Sequence, residues 1–187
     1  MVAQETINVI KRGDRGKEPL NIQKIHDMVE YAVEDIKGVS ASQVEMQSGL
    51  QFYDGMSTDE IQQILIKSAA DLISLETPNY QYVAARLLLY SLRKQVIDKL
   101  WDHPHIYDHT KKCIEKGVYD SSILNLYERK DFDRMENWIN HNRDYDFTYA
   151  GLRQVIDKYL VQDRSSGEVF ETPQFMYMMI SATLFAK

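Results

Sequence analysis

The sequence has little cysteine, glycine or proline and lacks a long apolar run. Cys113 is the single cysteine among 187 residues, so no disulfide can form within the chain. The eight glycines form no Walker A or dinucleotide-binding pattern. The most apolar stretch, Phe175–Ala186, is too short to span a bilayer and contains polar residues. With no secretory signal in view either, we expect a cytoplasmic protein without a membrane partner.

An excess of positive charge is also lacking. The chain carries 22 Lys and Arg against 28 Asp and Glu, which gives a net charge of −6. Nucleic acid is therefore not expected as a partner, because phosphate-backbone binding depends on clustered Lys and Arg. His105 and His109 are four apart and could share a helix surface, but no Cys, Asp or Glu trio completes a metal site with them, so no metal is expected.

The first hundred residues predict a hairpin laid over four helices. Thr6–Arg12 and Lys17–Leu20 read as two strands around a glycine-containing turn. Asn21 is a favourable N-cap for a helix running to about Lys37, and a second helix follows Ser40 or Ser42. Ser57 or Thr58 caps a third helix, and Thr77-Pro78 opens a fourth that extends to about Leu100.

The segment Trp101–His105 interrupts the helical pattern and is the predicted boundary between domains 1–100 and 101–187. Periodicity beyond it predicts further helices, then a short β-hairpin and a last helix that begins at Pro173. Those helices are expected at Ile106–Lys116, Ser121–Tyr127, Phe132–Ile139 and Tyr149–Lys158, and the hairpin strands at Tyr159–Gln162 and Glu168–Glu171. The fold class is therefore mainly α: a four-helix bundle capped by a small N-terminal β-hairpin, followed by further helices and a short hairpin.

A group of basic residues is distributed over several elements of the first domain. Lys11 and Arg12 end the first strand, Lys24 lies in the first helix, and Lys94 lies near the end of the fourth. Basic side chains from several elements can converge on one phosphate, and helix N-termini offer free N–H groups to an anion. The residues alone are equally explained by a solvated charged rim.

Several sequence blocks together resemble the N-terminal end of the large (alpha) subunit of class I ribonucleoside-diphosphate reductase, with the tailed-phage versions closest in appearance. No single block is diagnostic, but they keep the family's order and cover most of the chain. The blocks are INVIKR (7–12), NIQKIH (21–26), QFYDGMSTDEIQ (51–62), IKSAADLIS (66–74), YQYVAARLLLYSLRK (80–94) and YLVQDRSSGEVFETPQF (159–175).

The resemblance implies that the first domain is an ATP cone, a regulatory domain that binds ATP or dATP. ATP, possibly with magnesium, is then an allosteric effector, and no cofactor for catalysis is expected in this chain. The residues that match nucleotide-binding positions of the family are Val9, Lys11, Arg12, Leu20, Asn21, Lys24, Ile25, Thr58 and Lys94.

The chain departs from the family pattern at positions that bear on inhibition by dATP. The usual Lys-Arg-Asp-Gly turn is replaced by Lys11-Arg12-Gly13-Asp14, and Gln62 stands where regulated members often carry His. Glu60 stands where Asp is common. We therefore expect ATP binding to survive these changes and dATP inhibition to be lost.

The resemblance breaks off before the family's catalytic barrel. One cysteine cannot carry out the dithiol–disulfide exchange that the family's reaction requires, so no catalytic residue is expected here. The final apolar helix is expected to face a partner through Phe175, Met179 and Phe185. Implied partners are the catalytic remainder of the large subunit and the small radical-generating subunit, in the host cytoplasm if the chain is phage-encoded. The alternatives are a stand-alone nucleotide-sensing cone and a nucleotide-free helical interaction module.

Overall fold

The computed structural model describes residues 7–12, 16–49 and 51–186. The chain folds into two compact units: one runs to Ser91 and includes Thr148–Ala150, and the other comprises Leu92–Phe147 and the chain from Gly151 onward. The predicted boundary at Trp101–His105 lies later in the sequence than this division. Arg93 explains the difference, because its buried side chain bonds the carbonyls of Leu100 and His141 in the second unit.

The first unit pairs a two-stranded antiparallel sheet with the helices that follow it. Strands β1 (Asn8–Ile10) and β2 (Lys17–Pro19) form the sheet, with Val9 opposite Glu18. The predicted strands were longer, and both Thr6 and the turn Gly13-Asp14 lie outside the described residues. Four helices follow: α1 (Ile22–Val33), α2 (Ala41–Gly49), α3 (Thr58–Asp71) and α4 (Tyr80–Ile97). Their core includes Val29, Val44, Leu65 and Val83.

The ends of these helices follow local chemistry. Asn21 caps α1 as expected, since its side-chain oxygen accepts a hydrogen bond from the N–H of Lys24. Helix α1 ends at Val33 rather than Lys37, because Asp35 adopts the left-handed conformation with φ of 60°. Ser57 rather than Thr58 caps α3, through a capping box with Glu60.

The second unit contains the end of α4 and further helices around a core of its own. These are α5 (Ile106–Glu115), α6 (Ile123–Leu126), α7 (Arg129–Trp138), a 3-10 helix (His141–Asp146), α8 (Tyr149–Lys158, from Gly151 onward in this unit) and α9 (Pro173–Leu184). The core cluster of this unit comprises Ile106, Ile123, Phe132, Met135, Phe175, Met179 and Ala182.

The second predicted hairpin is reduced to a single β-bridge between Gln162 and Val169. Glu171 accounts for the short pairing, because its carboxylate turns inward to accept hydrogen bonds from the N–H of Val161 and the hydroxyl of Tyr119. The mainly α fold with a small N-terminal sheet is confirmed. In the described part of the chain, no helix is both long and apolar enough to cross a membrane.

Candidate functional site

The first candidate site lies where the hairpin meets the N-terminus of α3. The N–H of Ile10 donates to the carbonyl of Met56, and Ile10 forms a parallel bridge with Ser57. Two residues further along, the N–H of Arg12 donates to the hydroxyl of Thr58 over 3.2 Å. Since Ser57 supplies the helix cap, the Thr58 hydroxyl is not used for capping. Lys11 and Arg12, which follow strand β1, therefore lie beside the first turn of α3.

Acidic residues hold the basic side chains of this site in place. The Lys11 ammonium lies 2.7 Å from the Glu18 carboxylate, and the Arg12 guanidinium pairs with Asp59, its Nε donating over 2.6 Å. The hydrogen bond from Lys11 lowers the pKa of Glu18, and the charges of Lys11 and Lys24 lower it further. Lys11 and Lys24 therefore act on the same carboxylate. Sequence reasoning missed Glu18 and Asp59, because nothing in the sequence indicated which acids the basic residues would meet.

The remaining predicted nucleotide residues lie in three different places. Leu20 and Asn21 lie at the opposite end of the hairpin from the turn, where the N–H of Leu20 bonds the carbonyl of Ile7. Val9 and Ile25 are buried and serve as core beneath this surface. Lys94 belongs to the second unit, where its ammonium contacts the carbonyl of Asp98 over 3.4 Å, and its role in nucleotide binding stays a prediction.

Gln62 is fixed inside the first unit. Its side chain is buried, and its amide nitrogen donates to the carbonyl of Leu87 over 2.9 Å. This bond ties α3 to the middle of α4. A neutral side chain in this position carries no positive charge toward an anion, unlike the His that the family often has there.

The second candidate site is an apolar groove of about 410 Å³ beside α9. Buried Met176, Met179 and the Tyr119–Glu171 pair contribute to its lining. Its exposed apolar lining residues are Leu126, Tyr159, Ile180 and Leu184. Burial raises the pKa of Glu171, although the bonds from Tyr119 and Val161 act in the opposite direction.

The groove shows which residues of α9 are exposed beside the predicted partner interface. Phe175 and Met179 were expected to face a partner; both are buried in the core of the second unit, and Met179 also lines the groove, so their contact with a partner stays a prediction. Their side chains fill the space against α5 and α7, because the helix is apolar on every face and packs its larger residues inward. Phe185 is 79% exposed, and together with Ile180 and Leu184 it forms the exposed apolar surface at the end of α9.

Cys113 and the pair His105 and His109, which the sequence analysis singled out, have roles in packing or helix capping. Cys113 is buried, and burial raises the pKa of its thiol to about 11, which disfavours a reactive thiolate. His105 caps α5, whereas His109 is buried, so the two histidines that could have shared a helix surface lie in different environments. Among the described residues, no group of three His, Cys, Asp or Glu side chains is arranged to hold a metal ion.

Comparisons with known proteins agree with this architecture. Residues 7–95 match the family model of the ATP cone domain, and residues 145–187 match that of the ribonucleotide reductase all-alpha domain. The chain is 45% identical over 183 residues to the ribonucleoside-diphosphate reductase subunit alpha of Haemophilus influenzae, covering 98% of this chain and 24% of that protein.

Two further relatives show the same pattern. The ribonucleoside-diphosphate reductase 1 subunit alpha of Escherichia coli is 43% identical, covering 95% of this chain and 23% of that protein. The subunit alpha of Enterobacteria phage T4 is 41% identical, covering 96% of this chain and 24% of that protein. The chain thus spans about a quarter of the length of these relatives. The resemblance drawn from the sequence blocks is confirmed.

Proposed function

Since the chain combines an ATP cone with the start of a ribonucleotide reductase all-alpha domain, we propose that it is the regulatory segment of a ribonucleoside-diphosphate reductase. The complete enzyme would reduce ribonucleoside diphosphates to deoxyribonucleotides, with the chemistry performed by a catalytic remainder and a small radical-generating subunit. This segment would bind ATP as an allosteric effector in the cytoplasm. The convergence of Lys11 and Lys24 on Glu18, beside Arg12 and Thr58, is the observation that carries the proposal.

The basic side chains that pair with carboxylates in this site could instead pair with the phosphates of a bound nucleotide. Lys11 forms an ion pair with Glu18, and Arg12 forms one with Asp59. Both side chains are able to donate charge-assisted hydrogen bonds to a triphosphate. The N-terminus of α3 adds the positive end of a helix dipole at Thr58. Antiparallel pairing places Asn21 at the far end of the hairpin from Lys11 and Arg12, so the ligand would extend along the strands with its phosphates at these two basic residues. Magnesium would neutralise part of the phosphate charge.

Calorimetric titration with ATP tests the proposal. We expect the wild-type chain to bind ATP with a dissociation constant below 1 mM, which corresponds to about −4 kcal/mol. Lys11→Ala and Lys24→Ala should each weaken binding by about tenfold or more, since a charge-assisted hydrogen bond contributes about 1.5–3 kcal/mol. Lys67→Ala is the matched control, because Lys67 lies on the exposed surface of α3 and pairs with Asp71.

Two results would contradict parts of the proposal. Absence of binding at millimolar ATP would mean that the cone is vestigial and would favour the nucleotide-free module. Unchanged ATP affinity of Lys94→Ala would show that Lys94 does not contribute to the site, and the proposed roles of the hairpin residues would stand.

We further predict that dATP does not inhibit the assembled enzyme. Gln62 is held by the Leu87 carbonyl and cannot supply positive charge, and the turn residues Gly13 and Asp14 depart from the family pattern. The measurement is reductase activity of the reconstituted enzyme across a dATP series, with Gln62→His alongside wild type. Strong inhibition of the wild-type enzyme at high dATP would contradict the prediction.

We also propose that the apolar groove beside α9 receives the catalytic remainder. The relatives that this chain matches are about four times as long, and their additional polypeptide is the natural source of an apolar surface to cover Ile180 and Leu184. Neither a Lys nor an Arg lines the groove, whereas Asp120 and Glu171 do, which favours an apolar segment over an acidic one.

A further inference from the structure

Two histidines of the second unit form a stack that the proposed function does not use. The rings of His103 and His141 are 3.5 Å apart between centroids and differ by 5° in plane. Phe175 from α9 meets both rings edge-on, with centroid distances of 6.3 Å and 5.1 Å. His109 from α5 stacks on the same Phe175 at 4.3 Å. The stack thus joins the loop before α5, the 3-10 helix and α9.

The histidine stack is arranged for neutral rings. Both nitrogens of His103 and both of His141 are buried, and none finds a hydrogen-bond partner among the described residues. An imidazolium would need acceptors for two N–H groups, which this environment does not offer. A proton on either ring would also bring a positive charge against its stacked neighbour.

The charged groups around the stack come from four elements. Arg93 of α4 donates to the carbonyl of His141 over 2.8 Å and to Asp144 of the 3-10 helix over 3.4 Å. Asp144 is also held by the side chain of Gln174 over 2.9 Å, so its charge is already engaged. Lys112 of α5 faces His109, and exposed Asp102, beside His103, pairs with Lys99. The buried cation Arg93 is therefore the charge that both rings meet.

We propose that the His103–His141 stack is an acid-sensitive lock, which holds the 3-10 helix against α9 and releases it when either ring takes up a proton. Burial first, and then the neighbouring His141 and Arg93, lower the pKa of His103 to about 3, against a smaller opposing effect of Asp102. Burial and then Arg93 lower the pKa of His141 to about 4. The buried geometry and the charge of Arg93 thus both favour the neutral form of the two rings.

The sign of the pH dependence follows from these shifts. The unfolded chain takes up protons near pH 6.5, whereas the folded rings do so only near pH 3 to 4. The contribution of these two rings to stability should therefore be constant above about pH 7 and fall as the pH drops below 6.5. His26 has the opposite sign, because its bond to Glu45 raises its pKa, so its contribution is present at low pH and lost as the pH rises.

Hydrogen exchange and tryptophan fluorescence test the lock, since Trp101 and Trp138 both lie in the second unit. After correction for intrinsic rates, the amides of residues 141–146 should lose protection between pH 7.5 and 5 more than those of α1. The double variant His103→Phe, His141→Phe should take up about two fewer protons on unfolding below pH 6.5 than wild type. His26→Gln is the control and should leave this uptake in the second unit unchanged.

Nuclear magnetic resonance of the wild-type histidine rings gives a second measurement that does not depend on a variant. His103 and His141 should remain neutral in the folded chain down to about pH 5. Titration of either ring near pH 6.5 in the folded state would overturn the proposal, as would an equal proton uptake in the double variant and the wild type.

Discussion

Asp144→Ala is expected to destabilise the second unit by about 3–5 kcal/mol, the cost of leaving one partner of a buried ion pair alone. The side chains of Arg93 and Asp144 are almost wholly buried, and their closest N–O distance is 3.4 Å. Burial raises the pKa of Asp144, while the bonds from Gln174 and Arg93 act in the opposite direction. Without the carboxylate, Arg93 would keep the carbonyls of His141 and Leu100 and the Tyr145 hydroxyl, none of which carries a negative charge.

Urea denaturation followed by tryptophan fluorescence measures this loss, because both tryptophans report on the second unit. Asp146→Ala is the matched control, since Asp146 is an exposed carboxylate in the same 3-10 helix, and its replacement should change stability by less than about 0.5 kcal/mol. Replacing both members of the pair with apolar residues, as in Arg93→Met with Asp144→Leu, should cost less than Asp144→Ala alone. Equal stability of Asp144→Ala and wild type would show that the pair contributes nothing.

Local chemistry explains why much of the first unit could be predicted. Asn21 and the Ser57 to Glu60 spacing are helix-start signals that act within four residues, so no tertiary contact is needed to interpret them. Helix α8 occupies Tyr149–Lys158, the range that periodicity predicted. The hairpin likewise forms where two short strands flank a turn, although only three residues of each strand pair.

Long-range packing explains what could not be predicted. The inward turn of Glu171, which shortens the second hairpin, depends on Tyr119 more than fifty positions away in the sequence. Helix α4 continues without a break from Tyr80 to Ile97, so its periodicity gives no sign that Arg93 belongs to a second core. The stack of His103 on His141 likewise joins residues from separate segments.

The candidate sites divide in the same way. The sequence identified Lys11, Arg12 and Thr58, and the structure brings Arg12 and Thr58 into contact. The sequence alone could not identify Glu18 as the carboxylate that Lys11 and Lys24 share, because that identification requires the register of the sheet. On α9, an apolar residue occupies nearly every position, so periodicity could not show that Phe175 and Met179 are buried while Ile180 and Leu184 are exposed.

Ile180→Asp combined with Leu184→Asp is expected to abolish stable association with the catalytic remainder. Both side chains line the apolar groove, and they are 46% and 71% exposed in the isolated chain. Complete burial of one such side chain contributes about 1.5–3 kcal/mol, and since only part of each side chain is exposed, losing both should weaken the complex by about one to three orders of magnitude. Introducing two carboxylates beside Glu171 adds a desolvation cost to this loss.

Co-expression with a barrel-bearing polypeptide, followed by size-exclusion chromatography and a reductase assay, measures the association. Met46→Asp is the control, because Met46 is an exposed apolar residue of similar size on α2 in the first unit. Wild type and Met46→Asp should co-elute with the partner, and the double variant should not. Co-elution of all three would show that the groove is not the docking surface. A wild-type chain that ignores the partner but still binds ATP would instead favour a stand-alone nucleotide-sensing cone, because its effector site would then function without the surface that α9 presents.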